Sequence, residues 1–227
     1  MQKRLGVSNS LFTINEERSA IMAKFDLEQV NDMYVDVLKE IGNIGAGNAT
    51  TAISNMLNLK VNMDVPKVEL LTFQELPAAI SAEEETIAGI YLEVESDISG
   101  SMMFLLKMDS AHYLVNRLMG RPDDYNEEFN ELDLSALKEI GNIISGSYLS
   151  ALSTMTNMCI TSSVPYLAID MAGAILSVPA IQFGQYGDNA LLIETEFGDD
   201  VKIQGFFILL PDIDSYDKIL TSLGIQI

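Results

Sequence analysis

A single cysteine, Cys159, and a single histidine, His112, are all the thiol and imidazole chemistry in this chain. One cysteine excludes an internal disulfide and any cysteine cluster, and one histidine excludes the usual His-based zinc sites. A Ser/His/Asp triad or a Cys/His nucleophile pair would have to use His112, which lies in the amphipathic pattern DSAHYLVNRL, so both residues read as packing groups. Basic side chains are also scarce, with 13 Lys and Arg against 33 Asp and Glu and a formal net charge of −20. That field repels polyanions, and no nucleic-acid partner is expected. Long apolar runs are missing too. The strongest, Phe206 to Leu210, ends at Pro211 and falls far short of the ~20 residues that span a bilayer. It reads as a buried strand, and no membrane insertion is expected. What the chain does have is 48% hydrophobic residues over 227 positions, enough for one sizeable core.

Residues 1–26 read as an N-terminal arm or a non-native extension, and 27–227 as one domain. The first 21 residues lack the apolar core of a signal peptide. Two readings stay open: an ordinary flexible arm, or a native start at Met22, with Glu16 to Ser19 encoded by a ribosome-binding sequence just upstream.

The domain contains a repeat. LKEIGNI stands at 38–44 and again at 137–143, and the same 99-residue offset pairs Gly47 with Gly146, Ala52 with Ala151, Val65 with Val164 and Pro66 with Pro165. At roughly one match in twenty per position, seven identical residues are no coincidence. Further on, GSMMFLLKMD (100–109) corresponds to GFFILLPDID (205–214) and YLVNRLMG (113–120) to DKILTSLG (217–224), at offsets of 105 and 104. Each half, about 27–122 and 123–227, reads as a long helix, a short strand around the proline, a variable stretch, an antiparallel strand pair and a closing helix. The expected fold is therefore α/β (α+β), a tandem pseudo-two-fold duplication sharing a largely antiparallel sheet, with the acidic stretch 123–133 as a solvated connection. Duplication within one chain supplies the two-fold arrangement that a single-repeat protein would need a dimer to make, so a monomer is expected.

The glycines of LKEIGNIGAGNAT (38–50) resemble a phosphate-binding loop, but the second copy argues against that. It has Ile144, Ser145 and Ser147 in place of Gly45, Ala46 and Asn48, which destroys the glycine spacing, and neither a preceding strand nor a following GK[ST] is present. A helix explains both copies. At about 100° per residue, Asp36, Glu40, Asn43, Gly47 and Ser54 share one stripe, opposite Leu38, Ile41, Gly45, Ala52 and Met56. The second copy repeats this with Ser135, Glu139, Asn142, Gly146 and Ser153, backed by Leu137, Ile140, Ile144, Ala151 and Met155. Mid-helix glycine costs ~1 kcal/mol against alanine. Gly47 and Gly146, one turn beyond the asparagines, leave room for another protein to approach, and Gly42 and Gly141 permit close packing inside the domain; relief of internal crowding is the competing explanation for all four. Asparagine is no general base near neutral pH, but its carboxamide can hold and orient a water, and phosphoryl transfer asks mainly for alignment and charge compensation. The glutamates can pair with a lysine of a docked protein, or be solvated helix residues.

The pattern Asp/Ser-x3-Glu-x2-Asn with a proline some 22 residues later, present as Asp36, Glu40, Asn43, Pro66 and as Ser135, Glu139, Asn142, Pro165, resembles that of the CheC/CheX/FliY phosphatases of bacterial chemotaxis. Two motifs in one compact chain are similar to the CheC type. The resemblance covers about residues 27 to 227 and implies a cytoplasmic hydrolase acting on the aspartyl phosphate of the response regulator CheY. It implies that Asn43 and Asn142 orient the attacking water and that Glu40 and Glu139 bridge to the regulator's lysine. It also implies that Mg2+ sits in the phosphorylated receiver, with no cofactor or metal of the chain's own, and that the deamidase CheD is a second partner. The alternatives are a weakly catalytic or non-catalytic module that binds CheD or the flagellar switch, and a nucleotide-binding enzyme resting on the glycines alone.

Overall fold

The computed structural model describes residues 32–57, 60, 62–183, 189–198 and 203–224. The arm 1–26, with its two possible starts, lies outside the described residues. In chain order the elements are α1 (Asp32–Leu57), β1 (Asn62–Thr72), α2 (Leu76–Ile80), β2 (Thr86–Ser96), β3 (Gly100–Lys107), α3 (Met108–Met119), α4 (Glu131–Thr156), β4 (Ile160–Ser162), β5 (Tyr166–Met171), α5 (Ala172–Phe183), β6 (Asn189–Gly198), β7 (Ile203–Pro211) and α6 (Ile213–Ser222).

The described strands form one antiparallel sheet in the order β1-β6-β7-β3-β2, with β4 and then β5 alongside β2. Each half combines the hairpin of one repeat with the proline-bearing strand or strands of the other, β1 beside β6–β7 and β4 and β5 beside β2–β3, and the halves meet where β3 pairs with β7. The register there is symmetric. Met103 faces Ile208, its own equivalent under the 105-residue offset, so the pseudo-two-fold passes through that pair. Ser101 to Leu106 of β3 and Gly205 to Pro211 of β7 are buried without interruption, as expected of central strands covered on both faces. Alternate residues serve the two sides. Met102, Phe104, Leu106, Phe207 and Leu209 join the core under α1, α3 and α4, whereas Met103, Leu105, Phe206, Ile208 and Leu210 join a second core under α2 and α5.

The two 26-residue helices α1 and α4 lie against each other on the first face. Gly45 makes their contact possible, since a Cβ there would stand 2.8 Å from Cδ1 of Tyr148 and 3.0 Å from its Cα. The 99-residue offset relates Gly45 and Tyr148 to Ile144 and Ala49, so the halves trade bulk across the crossing. Gly42 and Gly141 also face the interior, where an added Cβ would meet Val65 at 3.3 Å and Ile90 at 2.8 Å respectively. Gly47 and Gly146 differ, with nothing within 4 Å of such a Cβ.

Several expectations need correction. The variable stretches hold two short helices, α2 and α5, that cover the second face of the sheet. The strand around the proline is 11 residues long in the first copy and is broken into β4 and β5 in the second. Asp133, expected in a solvated connection, is buried in the first turn of α4. Cys159 is exposed rather than packed, because it follows the end of α4 and its amide donates to the Asp97 carboxylate at 2.7 Å. His112 does pack, stacked on Phe129 at 4.2 Å, and burial lowers its pKa.

Gly45→Ala and Gly47→Ala separate the two glycine roles. Overpacking against Tyr148 is expected to destabilise the first by about 1–3 kcal/mol, whereas the second is expected to gain up to ~1 kcal/mol of helix propensity. Urea midpoints of the two variants check this.

Candidate functional site

The second polar stripe is fixed from the start of its helix. Asn130 caps α4, its side-chain oxygen accepting from the amides of Leu132 (2.9 Å) and Asp133 (3.2 Å), while the Asp133 carboxylate accepts from the Asn130 amide at 3.1 Å. This reciprocal capping box satisfies amides that the first turn leaves without helical partners. The Arg121 guanidinium, which also lies over the Tyr125 ring, closes on Asp133 at 2.7 Å. With the start of α4 pinned, Ser135, Glu139, Asn142 and Gly146 fall on one face at helical spacing. Ser135, Glu139 and Gly146 are exposed and Asn142 is half-buried.

Opposite them lies the break between β4 and β5. Ser163 anchors it, its amide donating to the Glu93 carbonyl and its hydroxyl accepting from the Glu93 amide, each at 2.9 Å. Pro165 has no amide to donate and loses no ladder bond at the interruption. The structure thus brings Ser135, Glu139, Asn142 and Pro165 together in one open groove of about 460 Å³, completed by Lys138, Ser162, Ser163 and Val164. Val164, at the rim of the groove that holds the asparagine, is 87% exposed, and Tyr166, next after Pro165, is 74% exposed.

In the first copy, Asp36, Glu40, Asn43 and Gly47 are all exposed along one face of α1. Pro66 lies in β1 where the register with β6 slips. Asp64 faces Glu196 and Lys67 faces Glu194, leaving Val65 and Pro66 opposite the single residue Thr195. This β-bulge is the counterpart of the β4–β5 break. The helix seats directly on it, with Gly42 against Val65. The rim differs from that of the second copy. Val65 is buried where Val164 is exposed, and the place of Tyr166 is taken by Lys67, which pairs with Glu69 at 2.8 Å.

The sequence pattern located both stripes but missed Lys138, Ser162 and Ser163 of the groove and the exposure of Val164. The shared Val-Pro pair pointed to that strand; nothing in it distinguished a buried valine from an exposed one. Among the described residues, no group of three or more His, Cys, Asp or Glu side chains is placed to hold a metal ion, and no helix is long and apolar enough to cross a membrane. The chemistry that each stripe offers is a carboxamide one turn from a carboxylate, open to a large partner and suited to orienting a water.

An internally duplicated α/β domain with a Glu-x-x-Asn stripe on each of two paired surface helices defines the class. The profile of the CheC-like family matches residues 33–70 and 132–168, which contain both motifs. The chain is 36% identical over 200 residues to the CheY-P phosphatase CheC of Bacillus subtilis, covering 86% of this chain and 96% of that protein. It is 20% identical over 190 residues to the putative CheY-P phosphatase CheC1 of Halobacterium salinarum, covering 83% and 95%. Among solved structures, Thermotoga maritima FliY shares the fold with a TM-score of 0.71 at 21% identity, over 86% of this chain and 98% of that one. The protein belongs to the CheC-like family.

The cap of α4 carries a pH signature. Asp133 is held below the usual carboxylate range, first by the hydrogen bond from Arg121 and then by the Asn130 amide, both acting against desolvation. A depressed folded-state pKa stabilises the fold above the ordinary carboxylate value of ~4, and that stabilisation is lost as pH falls through the lowered value. Arg121→Leu is therefore expected to lower the thermal midpoint at pH 7 and to shrink the drop between pH 7 and pH 3 relative to wild type, as read by circular dichroism.

Proposed function

We propose that this protein is a phosphatase that hydrolyses the aspartyl phosphate of CheY, with Asn43 and Asn142 each orienting the attacking water in one of two sites. The observation that carries this reading is the repeated Glu-x-x-Asn stripe on open helix faces, in a chain 36% identical to a CheY-P phosphatase over most of its length. An acyl phosphate buried in a receiver domain can be reached only by a group that projects outward, and both stripes do. Each carboxamide holds a water in line with the phosphorus. As the water oxygen bonds to phosphorus, the bond to the aspartyl oxygen breaks, which releases inorganic phosphate and restores the carboxylate. Glu40 and Glu139 pair with a receiver lysine one turn away. Gly47 and Gly146 leave the approach clear, and the strands at Pro66 and Pro165 form the wall beside each helix. Mg2+ enters with the phosphorylated receiver, as part of the substrate.

At the second site Val164 and Tyr166 give the receiver an apolar surface to rest on, which suits a protein substrate better than a small one. A second docking surface is favoured by α5, which exposes Val178 and Ile181 on the face of the sheet opposite the stripes.

Decay of phosphorylated CheY with magnesium present tests the reading. Wild type is expected to accelerate decay, each single Asn→Ala variant to keep one site, and Asn43→Ala with Asn142→Ala to lose roughly 100-fold or more. Undiminished turnover by the double variant rejects asparagine-positioned hydrolysis. In the Asn43→Ala background, Tyr166→Ala is expected to raise KM several-fold with kcat kept; steady-state rates against CheY concentration separate the two constants.

A further inference from the structure

The two sites are supported by different chemistry. Tyr148, on α4 of the second repeat, is 2% exposed, and its ring lies against Gly45, two residues beyond Asn43. Its hydroxyl shares a 2.9 Å hydrogen bond with Thr195 Oγ1, and Thr195 is fully buried. Burial pushes the phenol pKa up to about 12, so it stays neutral and able to donate. Thr195 is the residue opposite the bulge formed by Val65 and Pro66, and Val65 in turn touches Gly42, next to Asn43. One hydrogen bond therefore ties α4, against which Gly45 of the Asn43 helix packs, to β6, whose Thr195 faces the bulge that carries Pro66. Neither partner has an equivalent at the other site. The 99-residue offset puts Ala49 in the place of Tyr148. The strand registers put Val94 in the place of Thr195, since Val94 faces Gly100 as Thr195 faces the corresponding Gly205. Both replacements are buried and neither side chain can make a hydrogen bond.

We infer that the Tyr148–Thr195 hydrogen bond is a positioning device for the Asn43 site alone, supplied to the first repeat by the second. The inference rests on the phosphatase reading above. A carboxamide that works by alignment is sensitive to its backbone, because a displacement of about 1 Å can cost roughly 100-fold. A hydrogen bond has a directional optimum that apolar contact lacks.

The test uses the full chain in two backgrounds, Asn142→Ala to isolate the Asn43 site and Asn43→Ala to isolate the other. Thr195→Val, which keeps the shape and removes the hydroxyl, is expected to lower kcat of the Asn43 site about ten-fold with KM little changed, and to leave the Asn142 site within two-fold. Thr195→Ser, which keeps the hydroxyl, is expected to retain activity at both. The double change Tyr148→Phe with Thr195→Val leaves no buried hydroxyl without a partner and is expected to show the same selective loss with a near-wild-type urea midpoint. Equal losses at both sites, equal effects of Val and Ser, or no loss at the Asn43 site each overturn the inference. Amide hydrogen exchange gives a readout independent of turnover. Thr195→Val is expected to speed exchange in 42–47 and not in 141–146, and unchanged exchange in 42–47 also overturns it. If both single-site parents fail to accelerate decay while exchange responds as expected, the phosphatase reading is what has failed.

Discussion

The antiparallel pairing of β3 with β7 is the constraint on which the rest of this structure depends. Each half-sheet, a hairpin of one repeat flanked by the proline-bearing strand or strands of the other, would leave the outer edge of β3 or β7 bare, and the halves satisfy those backbone groups by pairing with each other across the pseudo-two-fold. Phe104 stacks on Phe207 at 4.6 Å beside this seam, and Tyr148 leans on Phe207 at 4.2 Å, so the seam continues upward into the helix layer. Because the register is symmetric about Met103 and Ile208, α1 and α4 are delivered to the same face of the sheet, side by side. Their apolar sides then share one core and their polar sides face outward. Two outward stripes are thus a geometric consequence of joining two symmetry-related half-sheets at β3 and β7.

This also decides what could be read in advance. The stripes, the hairpins β2–β3 and β6–β7 and the continuous burial of Phe206 to Leu210 depend on helical or strand periodicity within a few residues, and the repeat marked them twice. The position of the prolines beside the stripes was legible only as a shared offset. Its physical basis, a one-residue bulge in one copy and a strand break in the other, needed the pairing of β1 with β6 and of β4 and β5 with β2. Asp133 was misread because composition alone makes an acidic run look solvated. The partner that lets Asp133 be buried, Arg121, lies twelve positions earlier beyond the end of another helix. Helices α2 and α5 were missed because five residues are too few for a periodic signal, and because AGAILSVPAIQF is apolar almost all round and has a proline inside it. The exposure of Val164, in the break between β4 and β5, and of Tyr166, at the start of edge strand β5, is recorded by no local pattern.

The helix crossing shows why the two halves could not stay identical. A pseudo-two-fold brings each residue of α1 toward the partner of its own equivalent on α4, so a bulky side chain kept at both positions of a contact would collide with its counterpart. Small residues kept at both would leave a void, and close-packed interiors accommodate neither. The chain meets this by trading bulk, with Tyr148 against Gly45 on one side and Ile144 and Ala49 as the related pair on the other. Once a large residue was required on one side only, a tyrosine could carry a hydroxyl into the core, provided that the strand beneath supplied a partner. Thr195 does so, where the related strand has Val94. The packing problem at the crossing and the difference between the two sites therefore have a single origin. Two copies of one motif on a shared sheet acquire different supports because the space between them can hold only one large side chain.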